Sequence, residues 1–177
     1  MIWHTAMRFA DRREAGRLLA AQLHSYAGRS DVVVLGLPRG GIPVAREVAN
    51  ALAAPLDVFI VRKLGVPTQS ELAMGAIARG GHRVLNPAVI QMFGISKEVL
   101  EEVTRREQLE LERREQTYRH GRPAVDLGGR HVILVDDGLA TGSTMRAAVT
   151  VIRDLRPARV IVAVPVGATE SCHELAT

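Results

Sequence analysis

Two adjacent carboxylates, Asp136 and Asp137, follow the short apolar run Val132 to Val135. Neighbouring carboxylates repel each other, so each needs solvent or a partner. The hydroxyls of a ribose cis-diol can donate to them, and a nearby Mg²⁺ would offset their charge. The pair therefore indicates a site for a sugar, with a magnesium ion beside it.

Hydroxyl and glycine residues follow in the same segment, at the start of the predicted helix Gly142 to Leu155; they are Thr141, Gly142, Ser143 and Thr144. Free backbone N–H groups and the helix dipole favour an anion at such a position. The segment thus offers carboxylates for sugar hydroxyls at one end and an anion-binding site at the other. This combination suits a ribose 5-phosphate. The alternative is an ordinary connection in which these residues only cap the helix, but it leaves the paired aspartates unexplained.

The turn from Gly36 to Gly41 offers a second anion site. Arg39 stands between a proline and two glycines, Gly40 and Gly41, so that a cation and bare backbone N–H groups come together. Such a nest suits a diphosphate. The alternative is a turn that enters a helix, with Arg39 facing solvent. The turn lacks the GxGxxG spacing of a dinucleotide site, and the segment after Val135 lacks the lysine of a Walker A loop.

Lys63 is one of only two lysines in a chain with 23 basic residues. The predicted strand Val58 to Val61 ends in Arg62-Lys63, which makes Lys63 a candidate to reach a phosphate. Arg62 either shares this role or faces solvent.

The elements that carry these loops follow a regular order. Apolar runs predict four buried strands at Val32–Leu35, Val58–Val61, Val132–Val135 and Val160–Val164, and helical spacing recurs at Asp11–Ala27, Ile42–Ala53 and Gly142–Leu155. Short apolar strands that alternate with helices predict an α/β fold with a mostly parallel central sheet and helices on both faces. Ligands bind beyond the carboxyl ends of such strands, so we expect the three loops to meet there.

A different pattern occupies residues 65–120. It predicts a mobile loop at Gly65–Ser70, two strands (Ala73–Arg79 and Arg83–Asn86) turned by Gly80-Gly81, a short helix at Pro87–Phe93 and a charged helix at Ser96–Tyr118. The charged helix has one narrow apolar stripe, so it lies on the surface or against a partner subunit. We expect residues 1–177 to form one domain, with 65–120 as a flexible loop and a small helical hood inserted in it.

The composition limits the classes of function. The formal net charge is +4 and the pI is about 10.0, which fits phosphate-bearing ligands and nucleic acid alike. Because the arginines are spread along the chain, a nucleic-acid partner is not favoured. The single cysteine excludes an intrachain disulfide, and no apolar run approaches the roughly 20 residues that span a bilayer, so we expect a cytoplasmic protein with no membrane partner. The six histidines (His4, His24, His82, His120, His131 and His173) lack metal-ligand spacing.

The segment Val132 to Thr144 resembles the phosphoribosyl-diphosphate signature of type I phosphoribosyltransferases, which is an apolar strand, two acidic residues and then Thr-Gly-x-Thr. The similarity extends from about Asp11 to Val166. The resemblance implies a Mg²⁺-dependent enzyme, a homodimer, that transfers ribose 5-phosphate from 5-phosphoribosyl 1-diphosphate to a nitrogenous base.

The resemblance also assigns the residues. Asp136 and Asp137 would hold the ribose 2′- and 3′-hydroxyls with Mg²⁺ alongside, and Lys63 would reach the diphosphate. The 5-phosphate would bind at Ala140, Thr141, Gly142, Ser143 and Thr144. Pro38, Arg39, Gly40 and Gly41 would form the diphosphate loop, which in this family often contains a non-proline cis peptide. Gly65 to Gly81 would be the flexible loop that closes over the reaction.

The sequence departs from the family pattern at two places. Members that act on 6-oxopurines carry an acid at the position of Ala140, whereas the segment Asp136 to Met145 looks like the adenine-specific branch. Glu71 is then the candidate for proton transfer, although it can equally be a solvated loop residue. Relatives also continue past the position of Thr177, so we expect the part that recognises the base to be incomplete or built from Pro87 to Tyr118.

Three functions remain open at this point. The first is the transferase, and the second is a regulator that senses phosphoribosyl diphosphate in the same pocket without chemistry. The third is an interaction module in which Ser96 to Tyr118 docks a partner.

Overall fold

The computed structural model describes residues 8–119 and 123–175, so that His4 and His120 lie outside the described residues. In chain order the elements are α1 Arg12–Gln22, β1 Val32–Gly36, α2 Gly41–Leu52, β2 Leu56–Val58, β3 Val61–Val66, β4 Gln69–Ala78, β5 Arg83–Leu85, α3 Pro87–Met92, α4 Lys97–Arg119, β6 His131–Val135, α5 Ser143–Asp154, β7 Arg159–Ala163 and α6 Thr169–Leu175.

Four parallel strands form the central sheet in the order β2-β1-β6-β7. Successive side chains of a strand point to opposite faces, and both faces of this sheet are covered. Val33 packs in the cluster that contains Ala148 of α5, whereas Val34 packs in the cluster that contains Val48 of α2. The predicted fold class, an α/β fold with a parallel central sheet and helices on both faces, is confirmed.

A second sheet of three antiparallel strands, β3-β4-β5, covers α5 on its far side. The turn between β4 and β5 contains Gly80 and Gly81, as the sequence predicted, and both glycines have positive φ. The long helix α4 packs on this sheet and buries Leu100, Val103 and Leu111 in a cluster with residues of β3 and β4. The apolar stripe of α4 therefore faces its own chain.

The predicted strand Val58–Val61 is wrong. The central-sheet strand ends at Val58, and Val61 begins β3 in the second sheet. Between them, Phe59 packs in the cluster under the central sheet and Ile60 in the cluster under α4. Every residue from Phe59 to Val61 is buried, so an unbroken apolar run hides the point at which the chain changes sheets.

The loop predicted at Gly65–Ser70 is also wrong in extent, because most of these residues belong to strands. Strand β3 continues to Val66 and β4 begins at Gln69, which leaves a tight hairpin. A side chain at Gly65 would lie 2.8 Å from the Ser70 carbonyl oxygen, so the two strands approach closely there. Helix α1 likewise ends at Gln22 rather than Ala27, because a 3₁₀ turn follows it.

Within the described residues, no helix combines the length and the apolar character needed to cross a membrane. The division into one domain with an insertion at 65–120 stays a prediction.

Candidate functional site

Neighbouring strands bring two of the predicted loops into contact. Because β1 and β6 pair in parallel, the chain leaves both at the same edge of the sheet, and the Leu37 N–H donates to the Val135 carbonyl at 2.9 Å. Gly40 then lies directly against the Asp137 carboxylate, which any side chain at position 40 would overlap. A side chain at Gly41 would come within 2.8 Å of the Val135 carbonyl oxygen. The two glycines are what allows the turn to sit on the carboxylates.

The two carboxylates have different surroundings. Asp136 is half-buried and accepts a 2.8 Å hydrogen bond from the Asp137 backbone N–H. The pKa of Asp136 is raised to about 6: burial raises it most, the charge of Asp137 adds to the rise, and the backbone hydrogen bond opposes it. The Nε and Nη2 atoms of Arg12 both lie 2.8 Å from Oδ2 of Asp137. The pair therefore combines a carboxylate that resists ionisation with one held by a cation.

The turn before α2 presents its cation to solvent. The peptide bond between Pro38 and Arg39 is cis, the feature that the family resemblance implied for this loop. The Arg39 side chain is exposed and forms no ion pair with a described residue. It is therefore available to an anionic ligand.

The segment before α5 leaves its backbone N–H groups free for an anion. The residue that caps α5 is Gly142, which has a φ of +71° and no side chain to cap the helix. The Ser143 N–H lies 3.5 Å from the Thr141 hydroxyl, the limit of a hydrogen bond. Helical capping by Thr and Ser, the alternative considered above, therefore accounts poorly for these residues, whereas an anion at the helix start accounts for them.

Side chains of α5 and α6 bind the backbone of this segment. The buried Ser171 hydroxyl donates to the Ala140 carbonyl at 2.6 Å. Arg146 donates to the Thr141 carbonyl at 2.8 Å and pairs with Glu174 at 2.7 Å. Two consecutive carbonyls of the loop are thus tied to side chains, which turns the loop's opposite side toward a ligand.

Lys63 and Glu71, the two candidates for chemistry, lie on the hairpin β3–β4. Lys63 is an interior residue of β3 rather than the end of a parallel strand, so the predicted position is wrong. Its Nζ lies 3.3 Å from both the backbone carbonyl and Oε2 of Glu71, whose side chain is 80% exposed. The structure therefore brings the two candidates together as an ion pair.

A cavity of about 570 Å³ lies between this hairpin, α4 and the two loops. Its lining includes Pro38 from the turn before α2 and Thr144 from the first turn of α5. Four cationic side chains also line it, those of Arg62, Lys63, Arg106 and Arg114. Two acidic side chains, Glu71 and Glu107, also line it. Arg62 donates through Nε to Glu107 of α4 at 2.9 Å, a contact that neither of its two predicted roles included. Cationic side chains outnumber acidic ones, so the cavity suits an anionic ligand.

No group of three or more His, Cys, Asp or Glu side chains within 8–119 and 123–175 could hold a metal ion by itself. Asp136 and Asp137 are the two oxygen donors at the sheet edge. Mg²⁺ commonly takes one or two carboxylates and completes its shell with substrate phosphates and water, so this pair fits a magnesium ion that arrives with a phosphorylated ligand.

Several residues that shape the site were not found from the sequence. Arg12, Ser171 and Arg106 belong to helices whose sequences show no ligand-binding motif. The only signal was indirect: paired carboxylates require a partner, but the pattern does not say which residue supplies it.

Comparisons with known proteins agree with this architecture. Residues 10–174 match the family model described as a phosphoribosyl transferase domain. A Mycobacterium tuberculosis protein, named as a candidate phosphoribosyl transferase, is 51% identical over 159 residues, which are 90% of this chain and 36% of that protein. The chain therefore spans about a third of the length of this relative.

Two solved structures, one at high and one at low sequence identity, give the same result. The crystal structure of a Thermus thermophilus protein superposes with a TM-score of 0.88 at 46% identity and covers 96% of this chain and 80% of that one. A hypoxanthine phosphoribosyltransferase from Staphylococcus aureus superposes with a TM-score of 0.54 at 13% identity and covers 91% of this chain and 65% of that one. The second likeness is one of fold alone.

Proposed function

Because the chain belongs to the phosphoribosyl transferase domain family, we propose that it binds 5-phosphoribosyl 1-diphosphate with Mg²⁺ and transfers ribose 5-phosphate to a nitrogenous base. One observation carries the proposal. The turn that holds Arg39, Gly40 and Gly41 rests on the Asp136–Asp137 pair, so an anion site and a hydroxyl-accepting site are joined at one edge of the sheet.

Each part of the ligand has matching groups. Asp136 and Asp137 accept the ribose hydroxyls. The 5-phosphate takes the free backbone N–H groups and hydroxyls from Ala140 to Thr144 at the start of α5. The diphosphate takes the backbone N–H groups of the turn together with Arg39 and Lys63.

The reaction replaces one bond at ribose C1 by another. The bond from C1 to the diphosphate oxygen breaks, and its electron pair leaves with the diphosphate. The lone pair of a base nitrogen then forms the new bond to C1, and the proton of that nitrogen is released. The transition state has oxocarbenium character, so the protein accelerates the step by holding both reactants in line, by stabilising the leaving charge and by excluding water.

Magnesium, held by Asp136 and Asp137 and by ligand oxygens, would neutralise part of the diphosphate charge. Lys63 and Arg39 supply fixed positive charge at the leaving group. Glu71 is the proposed acceptor of the proton from the base, with Lys63 beside it in the hairpin.

A regulator that binds the same ligand without chemistry is the second candidate. Two observations favour it. Ala140 offers no acid or base to an incoming nucleobase, and Glu71 is exposed and paired with Lys63. The interaction module is less favoured, because the apolar stripe of α4 is buried in its own chain. Homodimer formation and a cytoplasmic location remain predictions.

The test is calorimetric titration with 5-phosphoribosyl 1-diphosphate in Mg²⁺ buffer, for the parent and for Asp136→Asn/Asp137→Asn. We expect binding in the parent and none in the double variant. Asp126→Asn, at an exposed loop position, is the control for the loss of a carboxylate. Lack of binding in the parent would overturn the proposal.

Release of diphosphate in the presence of a panel of purine and pyrimidine bases then separates the two candidates. Turnover with any base establishes the transferase. Tight binding without diphosphate release from any base would favour the regulator.

A further inference from the structure

Arg12, the first residue of α1, reaches a carboxylate that lies 125 residues away in sequence. Its Nε and Nη2 atoms both lie 2.8 Å from Oδ2 of Asp137. The Arg12 side chain is 60% exposed and that of Asp137 33% exposed. Ion pairs this accessible to water contribute little to folding stability, so the consequence of this one lies in what it does to Asp137.

The contact fixes which carboxylate oxygen remains for a ligand. Both donors of Arg12 are directed at Oδ2, and Oδ1 is left to other partners. The backbone of Gly40 packs on the same carboxylate, so close to both of its oxygens that a side chain has no room. Asp137 is therefore held between α1 and the turn before α2, with Oδ2 engaged by Arg12 and Oδ1 accepting no hydrogen bond from a described residue.

The contact between Arg12 and Asp137 also places a positive charge beside the pair of carboxylates. Asp136 and Asp137 are adjacent, and the proposed ligand brings further negative charge. A guanidinium carries five N–H donors in a rigid fork, and it keeps its charge at all accessible pH values. Arg12 thus compensates the carboxylate pair without occupying Oδ1.

We propose that Arg12 is a positioning residue of the ribose-binding site. It orients Asp137 through Oδ2 so that Oδ1 accepts a ribose hydroxyl. This role rests on the proposed function, because it requires that Asp137 binds the sugar. It predicts that Arg12 matters for ligands that contain the ribose and not for those that contain the diphosphate alone.

The experiment compares two probes, 5-phosphoribosyl 1-diphosphate and inorganic diphosphate, both titrated in Mg²⁺ buffer. For Arg12→Gln we expect the affinity for the first probe to fall about tenfold, the scale of one charge-assisted hydrogen bond, and the affinity for the second to stay within about twofold. Arg12→Lys keeps the charge but loses the fork, so we expect partial recovery. Arg13→Gln removes an exposed arginine from the same helix turn and should leave both affinities unchanged.

The outcomes are distinguishable. If Arg12→Gln binds both probes as the parent does, Arg12 has no role in the site. If it loses affinity equally for both, Arg12 acts as a general cation for phosphate and the positioning role is wrong. If the parent binds inorganic diphosphate but not the phosphoribosyl ligand, the proposed function itself fails. Thermal unfolding of Arg12→Gln should match the parent within about 2 °C, because the ion pair is exposed.

Discussion

The backbone of Gly40 packs against the carboxylate of Asp137, and a side chain at position 40 would overlap that carboxylate. The two residues are far apart in sequence and come from loops after neighbouring parallel strands. Their contact makes the turn and the carboxylate pair one site.

Replacing Gly40 by alanine should therefore damage ligand binding more than folding. The new methyl group must push Asp137 or the turn away, which separates the two halves of the site. We expect Gly40→Ala to lower the affinity for 5-phosphoribosyl 1-diphosphate at least about tenfold, since misplacing one binding group costs at least one charged hydrogen bond. Calorimetry measures this. Gly128→Ala is the control, because a methyl group there meets only the Asp126 carboxylate at ordinary contact distances. Unchanged affinity in Gly40→Ala would show that Asp137 is not part of the binding site.

Ser171 gives a second test, directed at the support of the phosphate-binding segment. Its hydroxyl is buried and donates to the Ala140 carbonyl. Ser171→Ala leaves that carbonyl without this donor, which should cost about 1 kcal/mol of stability and weaken binding of ribose 5-phosphate several-fold. Denaturant unfolding and calorimetry measure the two effects.

The matched control for Ser171 is Thr117→Ala. The Thr117 hydroxyl also donates to a backbone carbonyl, that of Arg113, at 3.0 Å, but on the exposed side of α4. We expect no change in ligand affinity there. A loss of affinity in both variants would mean that the Ser171 effect is a general loss of stability rather than a local one.

The parallel sheet and the segment after Val135 could be predicted because their signals are local. An apolar run, a group of glycines or a pair of aspartates can each be recognised within a few consecutive residues. The second sheet was misjudged at Phe59 and Ile60, since both are buried, but in different clusters. Apolar residue types are compatible with burial in either cluster, so the sequence does not mark the residue at which the chain passes from one sheet to the other. The contacts of Arg12 and Ser171 join distant parts of the chain and have no local signature at all.

The pKa of Asp136 makes stability depend on pH in a direction opposite to that of most aspartates. Burial raises this pKa from 3.8 to about 6. Between those values the folded state binds a proton that the unfolded state has released, so stability falls as the pH rises through this window. At pH 7.5 the ionised carboxylate therefore destabilises the fold.

Asp136→Asn should remove this cost. We expect the variant to be more stable than the parent by about 1 kcal/mol at pH 7.5, after allowance for solvent screening of a half-exposed group, and to lose that advantage near pH 4. Unfolding in urea at the two pH values measures the difference. The same variant should lose affinity for the phosphoribosyl ligand, because the amide cannot replace a carboxylate at the magnesium and hydroxyl positions. A variant that is less stable than the parent at pH 7.5 would contradict the raised pKa.

Helix α4 offers a matched pair of arginines for a final test. Arg106 lines the cavity beside the hairpin, whereas its neighbour Arg105 pairs with Glu102 away from it. The two side chains are 69% and 67% exposed, so their removal changes net charge and solvation alike. If the cavity holds the anionic ligand, Arg106→Gln should weaken binding of 5-phosphoribosyl 1-diphosphate about threefold to tenfold at low salt, and less at high salt, because the guanidinium is partly screened. Arg105→Gln should bind as the parent does. Equal effects of the two substitutions would mean that α4 contributes only through the overall charge of the protein, and that the cavity is not where the ligand lies.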